Sequence, residues 1–465
     1  MVEIELKFQI SEARRTALLK ALDPKKSETI QLQAKYFDTP DRLLAQHGAA
    51  LRQRLEGTSW IQTLKAAGKS HLHRFEHNHN LGELESSPEL DLSIYEAIPE
   101  AQQILTQALG VDAAALKLTF ETDIQRTYRV IEFEDAEIEV CLDVGVVRAS
   151  GREQTIHEVE FELKSGSVQS LLAFSFEWVK KYQLWLDVRS KAEMGNLLAL
   201  EQTVSPARFE KEFVLSKKES AAHNLSLLIG QQMQHLLPNI AAISAGVAEQ
   251  SHIDQAQTAL EHLQLTLALF KDWNSNISDK WAMQLAAFKH QFDHLQHLQH
   301  MQSTLGAFLQ NPTTTENLAK DILYAQEKLG NLVKSTQNVH HYLELLTFSL
   351  SSHDQVQKQD LKTYAHNTLQ NQYRQLQESL NAADISHFES LDVLAQKIKE
   401  LKFSFPILTS IYDVKNLQKY SKALNDAQQA AHEYQILATS AAYIQQTELE
   451  ASDWFVLGWL TAKLE

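Results

Sequence analysis

The chain has 465 residues, enough for two or three folding units at roughly 150 residues per domain. Apolar content of 44% and charged content of 22% are ordinary for a globular protein, and no apolar run approaches the ~18 residues of a membrane span. A formal charge of −16 argues against general nucleic-acid or anionic-membrane binding, and the single cysteine, Cys141, excludes internal disulfides and multi-cysteine metal sites.

The N-terminus, MVEIELKFQI, carries charges where a signal peptide needs an apolar stretch, so a cytoplasmic protein is expected. Val2, Ile4, Leu6 and Phe8 fall on one face of a period-two pattern, and Glu3, Glu5 and Lys7 on the other, which predicts a half-buried strand. Further strands are predicted at Ile30–Asp38, Ala50–Glu56, Trp60–Ala66, His71–Asn78, Thr119–Ile131, Glu137–Val144 and Ile156–Lys164. Helical spacing covers Ser11–Leu22, Ile98–Leu109 and Ser167–Tyr182, with Ser11 and Ser167 as N-caps. Many strands and few helices predict an antiparallel sheet that curls or closes.

After Glu201–Phe213 the composition changes. Nine of the fourteen glycines lie before residue 200, whereas fourteen of the twenty histidines lie after residue 220. Apolar residues now recur at three and four, as in Ala256, Leu260, Leu263, Leu267 and Phe270, which predicts helix. Helices are expected near 216–236, 252–273, 278–310, 314–350, 355–382, 387–402, 411–447 and 450–464. Short loops between them imply packed bundles.

The polar faces of the strands carry the chemistry. Most such faces are simply solvated. Here their contents converge: Glu3, Glu5 and Lys7; Arg52 and Arg54; Thr63 and Lys65; Arg74 and Glu76; Glu139, Cys141 and Asp143; Glu158, Glu160, Glu162 and Lys164. A closed sheet with these faces inward would bury clustered carboxylates beside clustered cations, which is prohibitive unless they are compensated. Carboxylates suit Mg²⁺ or Mn²⁺, and Arg and Lys suit phosphate oxygens. A metal–polyphosphate complex needs both.

Glu3-Ile4-Glu5-Leu6-Lys7 resembles the E-x-E-x-K motif of the CYTH, or triphosphate tunnel metalloenzyme, superfamily. Tyr36-Phe37-Asp38-Thr39-Pro40, Leu51-Arg52-Gln53-Arg54, Thr63-Leu64-Lys65, Arg74-Phe75-Glu76, Arg126, Leu142-Asp143, Arg148, the Glu158/Glu160/Glu162 strand and Ser190-Lys191 follow in the family's order. The second half resembles the helical CHAD domain through Lys415–Ala431 and Leu457-Gly458-Trp459-Leu460. The His- and Arg-rich helix of that family is missing. Ser251-His252-Ile253-Asp254-Gln255-Ala256 stands in its place.

The resemblance implies an α+β chain: an N-terminal eight-stranded antiparallel β tunnel with flanking helices, then an all-α helical bundle. Residues 1–200 would form the tunnel, 201–215 a linker and 216–465 the helical domain. It implies hydrolysis of inorganic triphosphate to pyrophosphate and phosphate with Mg²⁺ or Mn²⁺. The implied metal residues are Glu3, Glu5, Asp143, Glu158, Glu160 and Glu162, with Glu162 able to reach only the tunnel mouth. Substrate contacts would come from Lys7, Arg52, Arg54, Lys65, Arg74, Arg126, Arg148 and Lys191, and catalytic roles from Glu5, Lys7, Asp143 and Lys65. The same tunnel also serves adenylate cyclases and thiamine-triphosphatases, and a non-catalytic polyphosphate-binding or scaffold protein is the rival outside enzymes.

Some residues read as structural. Asp38 is a turn former and Cys141 a small packing residue, while Glu76 reads equally as a site residue or as the structural partner of a neighbouring Arg. Met194 stands where many relatives have Arg, which removes one phosphate contact. His290, His294, His297 and His300 align on one helix, but a solvated face is the better reading than a metal site. Residues 205–465 carry twenty Lys and Arg against twenty-seven Asp and Glu, so polyphosphate binding there is expected to be weak or absent near neutral pH. A lysine run at Lys415, Lys419 and Lys422 is too small a patch.

Overall fold

The structure is a computed structural model and describes residues 2–68, 72–110, 116–273, 277–306, 308–309, 311–351, 360–384, 388–412, 418–446 and 449–464. Strands β1 (Val2–Gln9), β2 (Glu28–Asp38), β3 (Ala49–Glu56), β4 (Ser59–Ala67), β5 (His73–Glu83), β6 (Lys117–Phe133), β7 (Ala136–Ala149) and β8 (Arg152–Ser165) form one antiparallel barrel. Its order is β1-β5-β4-β3-β2-β6-β7-β8, closed by the pairing of β8 with β1. A two-residue strand, β9 (Trp185–Leu186), also pairs with β1 and was not foreseen.

The barrel is apolar outside and charged inside, because helices cover its outer face. Among them are α1 (Glu12–Leu22), α2 (Leu43–Gln46), α3 (Pro99–Leu109) and α4 (Val168–Tyr182). Phe8 of β1 and Phe161 of β8 pack at 5.1 Å between ring centres, and Phe161 meets Phe174 and Trp178 of α4. Leu44 of α2 and Ala101 and Ala108 of α3 cover Leu51, Leu64 and Phe75. Burial of such side chains stabilises the fold by roughly 1.5–3 kcal/mol each before entropy is counted. Ser167 caps α4 by accepting a hydrogen bond from the Ser170 amide. Ser11 occupies the N-cap position of α1, yet its side chain makes no cap bond.

Helix α5 (Lys191–Ala199) was absent from the sequence reading. It carries Met194 into an apolar layer with Leu32, Tyr36, Phe120, Ile124, Val147 and Ile156. These residues belong to strands that carry charges at another level. Gly195 permits the approach: a Cβ there would lie 2.1 Å from the Phe120 ring.

The helical region contains α6 (Ala221–Ser244), α7 (Gln250–Leu269), α8 (Asp279–Leu305), α9 (Pro312–Val333), α10 (Thr336–Leu350), α11 (Leu361–Ala382), α12 (Phe388–Thr409), α13 (Gln418–Gln445) and α14 (Ala451–Leu464). The stretch read as one helix over 314–350 is two, α9 and α10. Lys415 lies outside the described residues, while Lys419 and Lys422 are on α13. Among the described residues no helix is long and apolar enough to cross a membrane.

Two compact units emerge from the packing. One is Met1–Arg208 with Leu236–His252 and Val333–Thr347; the other is Phe209–His235, Ile253–Leu332 and Phe348–Glu465. The first unit thus includes parts of α6, α7 and α10. His252 ties α7 to the chain after the tunnel: its Nδ1 accepts the Glu249 amide, 3.1 Å away, and its Nε2 donates to the Ser205 carbonyl at 2.9 Å. His340 of α10 donates in the same way to the Phe176 carbonyl of α4 at 3.0 Å.

Candidate active site

Strand register decides which charges meet. Lys7 lies opposite Glu160, Glu5 opposite Glu162 and Gln9 opposite Glu158. Arg126 of β6 lies opposite Asp143 of β7, which in turn faces Glu158 of β8. Since alternate residues share a face, these side chains converge on the lumen. Glu5, Lys7, Arg126, Asp143, Glu160 and Glu162 line a cavity of about 940 Å³, while Glu158 is fully buried and not exposed to it.

The charges sort into two groups. In the first, Lys65 Nζ lies 2.7 Å from Glu3 and 2.8 Å from Glu76. Arg74 lies 3.3 Å from Glu5. Arg52 lies 4.0 Å from Glu76 and donates to the Tyr36 hydroxyl at 3.3 Å. Burial raises the Glu3 carboxyl to about 8 despite Lys65, with Glu5 and a hydrogen bond to Glu76 adding to the rise. Burial also works on Glu76, but Lys65, the bond to Glu3 and Arg52 outweigh it and hold that carboxyl well below the usual range.

The second group joins β6, β7, β8 and α5. Arg126 grips Asp143 through Nε and a terminal nitrogen, at 2.7 and 2.6 Å, and reaches Glu160 at 2.5 Å. Lys191 Nζ lies 2.7 Å from Asp143 and 2.9 Å from Glu160, and also contacts Glu158. Burial opposes ionisation of Asp143 and Glu160, yet Lys191 and Arg126 hold both carboxyls below their ordinary values. Glu158 is different: burial raises it to about 7, with Lys191 and Lys7 only partly opposing. Lys7 is buried beside this group and makes no ion pair among the described residues. Arg54 bonds Glu56, and burial with the nearby Arg52 and Arg126 lowers its guanidinium.

Oxygens of Asp143, Glu158 and Glu160 lie within 4.8 Å of one another, the sole such group of three among the described residues. Glu158 Oε2 is buried without a hydrogen-bond partner. Hard oxygen donors at this spacing, one of them unsatisfied, fit a divalent cation of the Mg²⁺ or Mn²⁺ type.

The six carboxylates expected to hold metal therefore do not form one set. Glu3 and Glu5 belong to the first group, and Glu162 pairs with Lys164 at 2.9 Å. Arg148 is a correction. It is on the outer face of β7, half exposed, bonded to Glu153 at 2.8 Å and near Asp123 at 3.4 Å, and it does not line the cavity. Met194 is a packing residue in the apolar layer with Leu32, Tyr36 and Phe120 and does not line the cavity. Asp38 accepts the amides of Thr39, Leu44 and Ala45 and so starts α2. The four histidines of α8 form no triad of close ligands; His300 instead meets His432 of α13 edge to face, 5.3 Å between rings.

Sequence reasoning missed several lining residues. Arg189 is held bidentately by Asp187, at 3.0 and 2.7 Å, and its position beside Ser190-Lys191 was the available signal. Arg42 lines the wall in a left-handed conformation, φ 60°. Arg208, Asn239 and His252 also line it, and no local pattern marks them.

The CYTH domain family matches residues 1–196, and the CHAD domain family matches residues 227–445. An inorganic triphosphatase from Haemophilus influenzae is 33% identical over 227 residues, which are 47% of this chain and 62% of that protein. The chain thus spans less than two thirds of that relative. Among solved structures, the CHAD domain from the plant Ricinus communis is similar at 14% identity and TM-score 0.47, over 56% of this chain and 92% of that one. A Hippeastrum protein described as a putative adenylyl cyclase with a dominant triphosphatase activity is similar at 17% identity and TM-score 0.31, over 43% and 97%.

Proposed function

Because the chain joins a CYTH domain to a CHAD domain, we propose that its tunnel hydrolyses inorganic triphosphate to pyrophosphate and phosphate with Mg²⁺ or Mn²⁺. The observation that carries this reading is a three-carboxylate cluster, Asp143, Glu158 and Glu160, two of whose members line one cavity with the cations Lys7, Arg52, Arg54, Lys65, Arg126 and Lys191. Pure capture of an anion gains nothing from buried carboxylates, whereas a metal–triphosphate complex uses both signs.

Phosphoryl transfer depends on positioning and charge neutralisation more than on covalent chemistry. Lys7, buried and without an ion pair among the described residues, is the cation best placed to take a phosphate oxygen at little cost. Arg52 and Arg54 present guanidinium forks, which match phosphate oxygens in pairs. Arg126 orients Asp143 and Glu160, so it acts through the carboxylates as much as on substrate. Asp143, Glu158 and Glu160 would hold the cation, which when bound supplies neutralisation of the phosphate charge. Tyr36 fixes Arg52 through its hydroxyl.

Phosphate release from inorganic triphosphate, ATP and thiamine triphosphate, run in parallel with Mg²⁺ or Mn²⁺, tests the reading. Inorganic triphosphate is expected to turn over fastest. A faster organic triphosphate would reassign the substrate, and tight binding without release from any of them would make the tunnel a capture device. Glu5→Gln, which keeps shape and removes a charge beside Arg74, is expected to abolish turnover.

A further inference from the structure

Lys191 stands where a metal would sit. Its ammonium contacts all three carboxylates of the pocket, Asp143, Glu158 and Glu160, and these are the three whose oxygens cluster within 4.8 Å. A compact monocation surrounded by three carboxylate oxygens occupies the centre that a small dication needs. Both cannot hold the same oxygens.

Lysine leaves the pocket's hydrogen bonding incomplete. Glu158, with no exposed surface, has an oxygen, Oε2, that accepts no hydrogen bond although Lys191 contacts its other oxygen. A buried acceptor left unmet is costly, so the arrangement with lysine is tolerable but unsatisfied at that oxygen.

The backbone that carries Lys191 is anchored by α5, and its ammonium is held through the three carboxylates. Ser190 caps α5 through the Glu193 amide at 3.0 Å, and Gly195 seats the helix against Phe120. Nζ is at the end of a flexible four-carbon stem. It can leave the carboxylates while α5 stays in place, and the lumen it would enter is the one lined by Lys7, Arg52 and Arg54.

We propose that Lys191 is the resident counter-cation of the Asp143–Glu158–Glu160 pocket, that an entering divalent cation displaces its ammonium, and that the freed ammonium turns to the phosphate chain. This rests on the metal-dependent reading of the site above. Lys191 thereby couples the two binding events: metal entry releases the lysine that grips substrate. It is a positioning residue before metal binds and a substrate contact afterwards.

Two measurements on the full chain without triphosphate test this. The first is calorimetric titration with Mn²⁺ of the parent, Lys191→Met and Lys191→Arg. Removing the competitor is expected to tighten Mn²⁺ binding at least tenfold in Lys191→Met, while Lys191→Arg stays near the parent. The second is acetylation by acetic anhydride, read by mass spectrometry on the parent protein, which needs no variant to fold. Lys191 is expected to be protected without metal and to react at least tenfold faster in saturating Mg²⁺. Equal Mn²⁺ affinity in parent and Lys191→Met overturns the competition while leaving the metal site standing. Tighter binding in Lys191→Met with unchanged acetylation of the parent also overturns it, because charge removal alone then explains the affinity. If neither protein binds Mn²⁺, the metal-dependent reading falls with it.

Discussion

Arg126 and Asp143 are direct cross-strand neighbours on β6 and β7, and two nitrogens of the guanidinium hold both oxygens of the carboxylate. The pair is the anchor of the second charge group, because Lys191 and Glu160 each touch one of its members. Asp143 has no exposed surface. Breaking one side of such a buried pair costs about 3–5 kcal/mol, since the other charges stay behind unpaired. Asp143→Asn is therefore expected to lower the urea midpoint by that equivalent and to remove triphosphate hydrolysis. A loss of stability below about 1 kcal/mol would mean that the group is not held together through Asp143.

The corrected placement of Arg148 separates lumen from surface. Arg52→Ala and Lys65→Ala are each expected to weaken triphosphate binding ten-fold to a hundred-fold, as charge-assisted contacts worth about 1.5–3 kcal/mol are lost. Arg148→Ala, on the outer face, is expected to leave the affinity unchanged. Calorimetry on the three variants checks this. A large loss for Arg148→Ala, or none for the other two, reverses the assignment of inner and outer faces.

The helical unit is expected to lose stability in acid. Burial lowers His297 on α8, with His300, Lys289 and His294 adding to the effect and Asp293 opposing it. His432 on α13 is lowered by burial and by His300, His297 and Lys399, against Glu261. A histidine depressed in the folded state is protonated first in the unfolded chain. Its stabilising contribution is complete above the unfolded value of ~6.5 and declines as pH falls below it. Urea midpoints measured at pH 8 and pH 5.5 are expected to differ more in the parent than in a His297→Gln, His432→Gln double variant. An equal drop in both would assign the acid sensitivity to other groups.

Cutting the chain near residue 205 is expected to damage the fragment that remains. Leu236–His252 and Val333–Thr347 belong to the compact unit of the tunnel. In a fragment 205–465, Leu237 and Leu346 lose Leu72 and Leu186 as neighbours around a small cavity, and His340 loses the Phe176 carbonyl. Exposed apolar surface of this kind favours association. The fragment is expected to be less stable than the helical region of the whole chain and to self-associate, checked by thermal unfolding and sedimentation. A monomeric fragment with unchanged unfolding would show that these segments do not need the tunnel. Long-chain polyphosphate binding is therefore better measured on the whole chain, at pH 7.5 to 8, where it is expected to be weak.

Period-two alternation makes the barrel strands and their inward charges readable from the sequence. Glu3, Glu5 and Lys7, then Arg52 and Arg54, then Glu158, Glu160 and Glu162 each share a face because the pleat is a local property of the backbone. Arg148 was not readable in this way. The alternation places Glu139, Cys141 and Asp143 inward on a strand expected to end at Val144, and only the continuation of β7 to Ala149 puts Arg148 on the opposite face. The convergence of particular carboxylates was not readable. Asp143 faces Glu158 across the tight β7–β8 hairpin, a local register, but the pairing of β1 with β8 and the approach of Lys191 to these carboxylates join segments distant in sequence, and no pattern within a strand encodes that. Lys191 and Arg189 follow the two-residue strand β9, too short for alternation to fix a direction. Nor did helical periodicity reveal that parts of α6, α7 and α10 pack with the tunnel. A helix's apolar stripe says that it is covered, while the identity of what covers it is set by contacts far along the chain, such as His252 with Ser205 and His340 with Phe176.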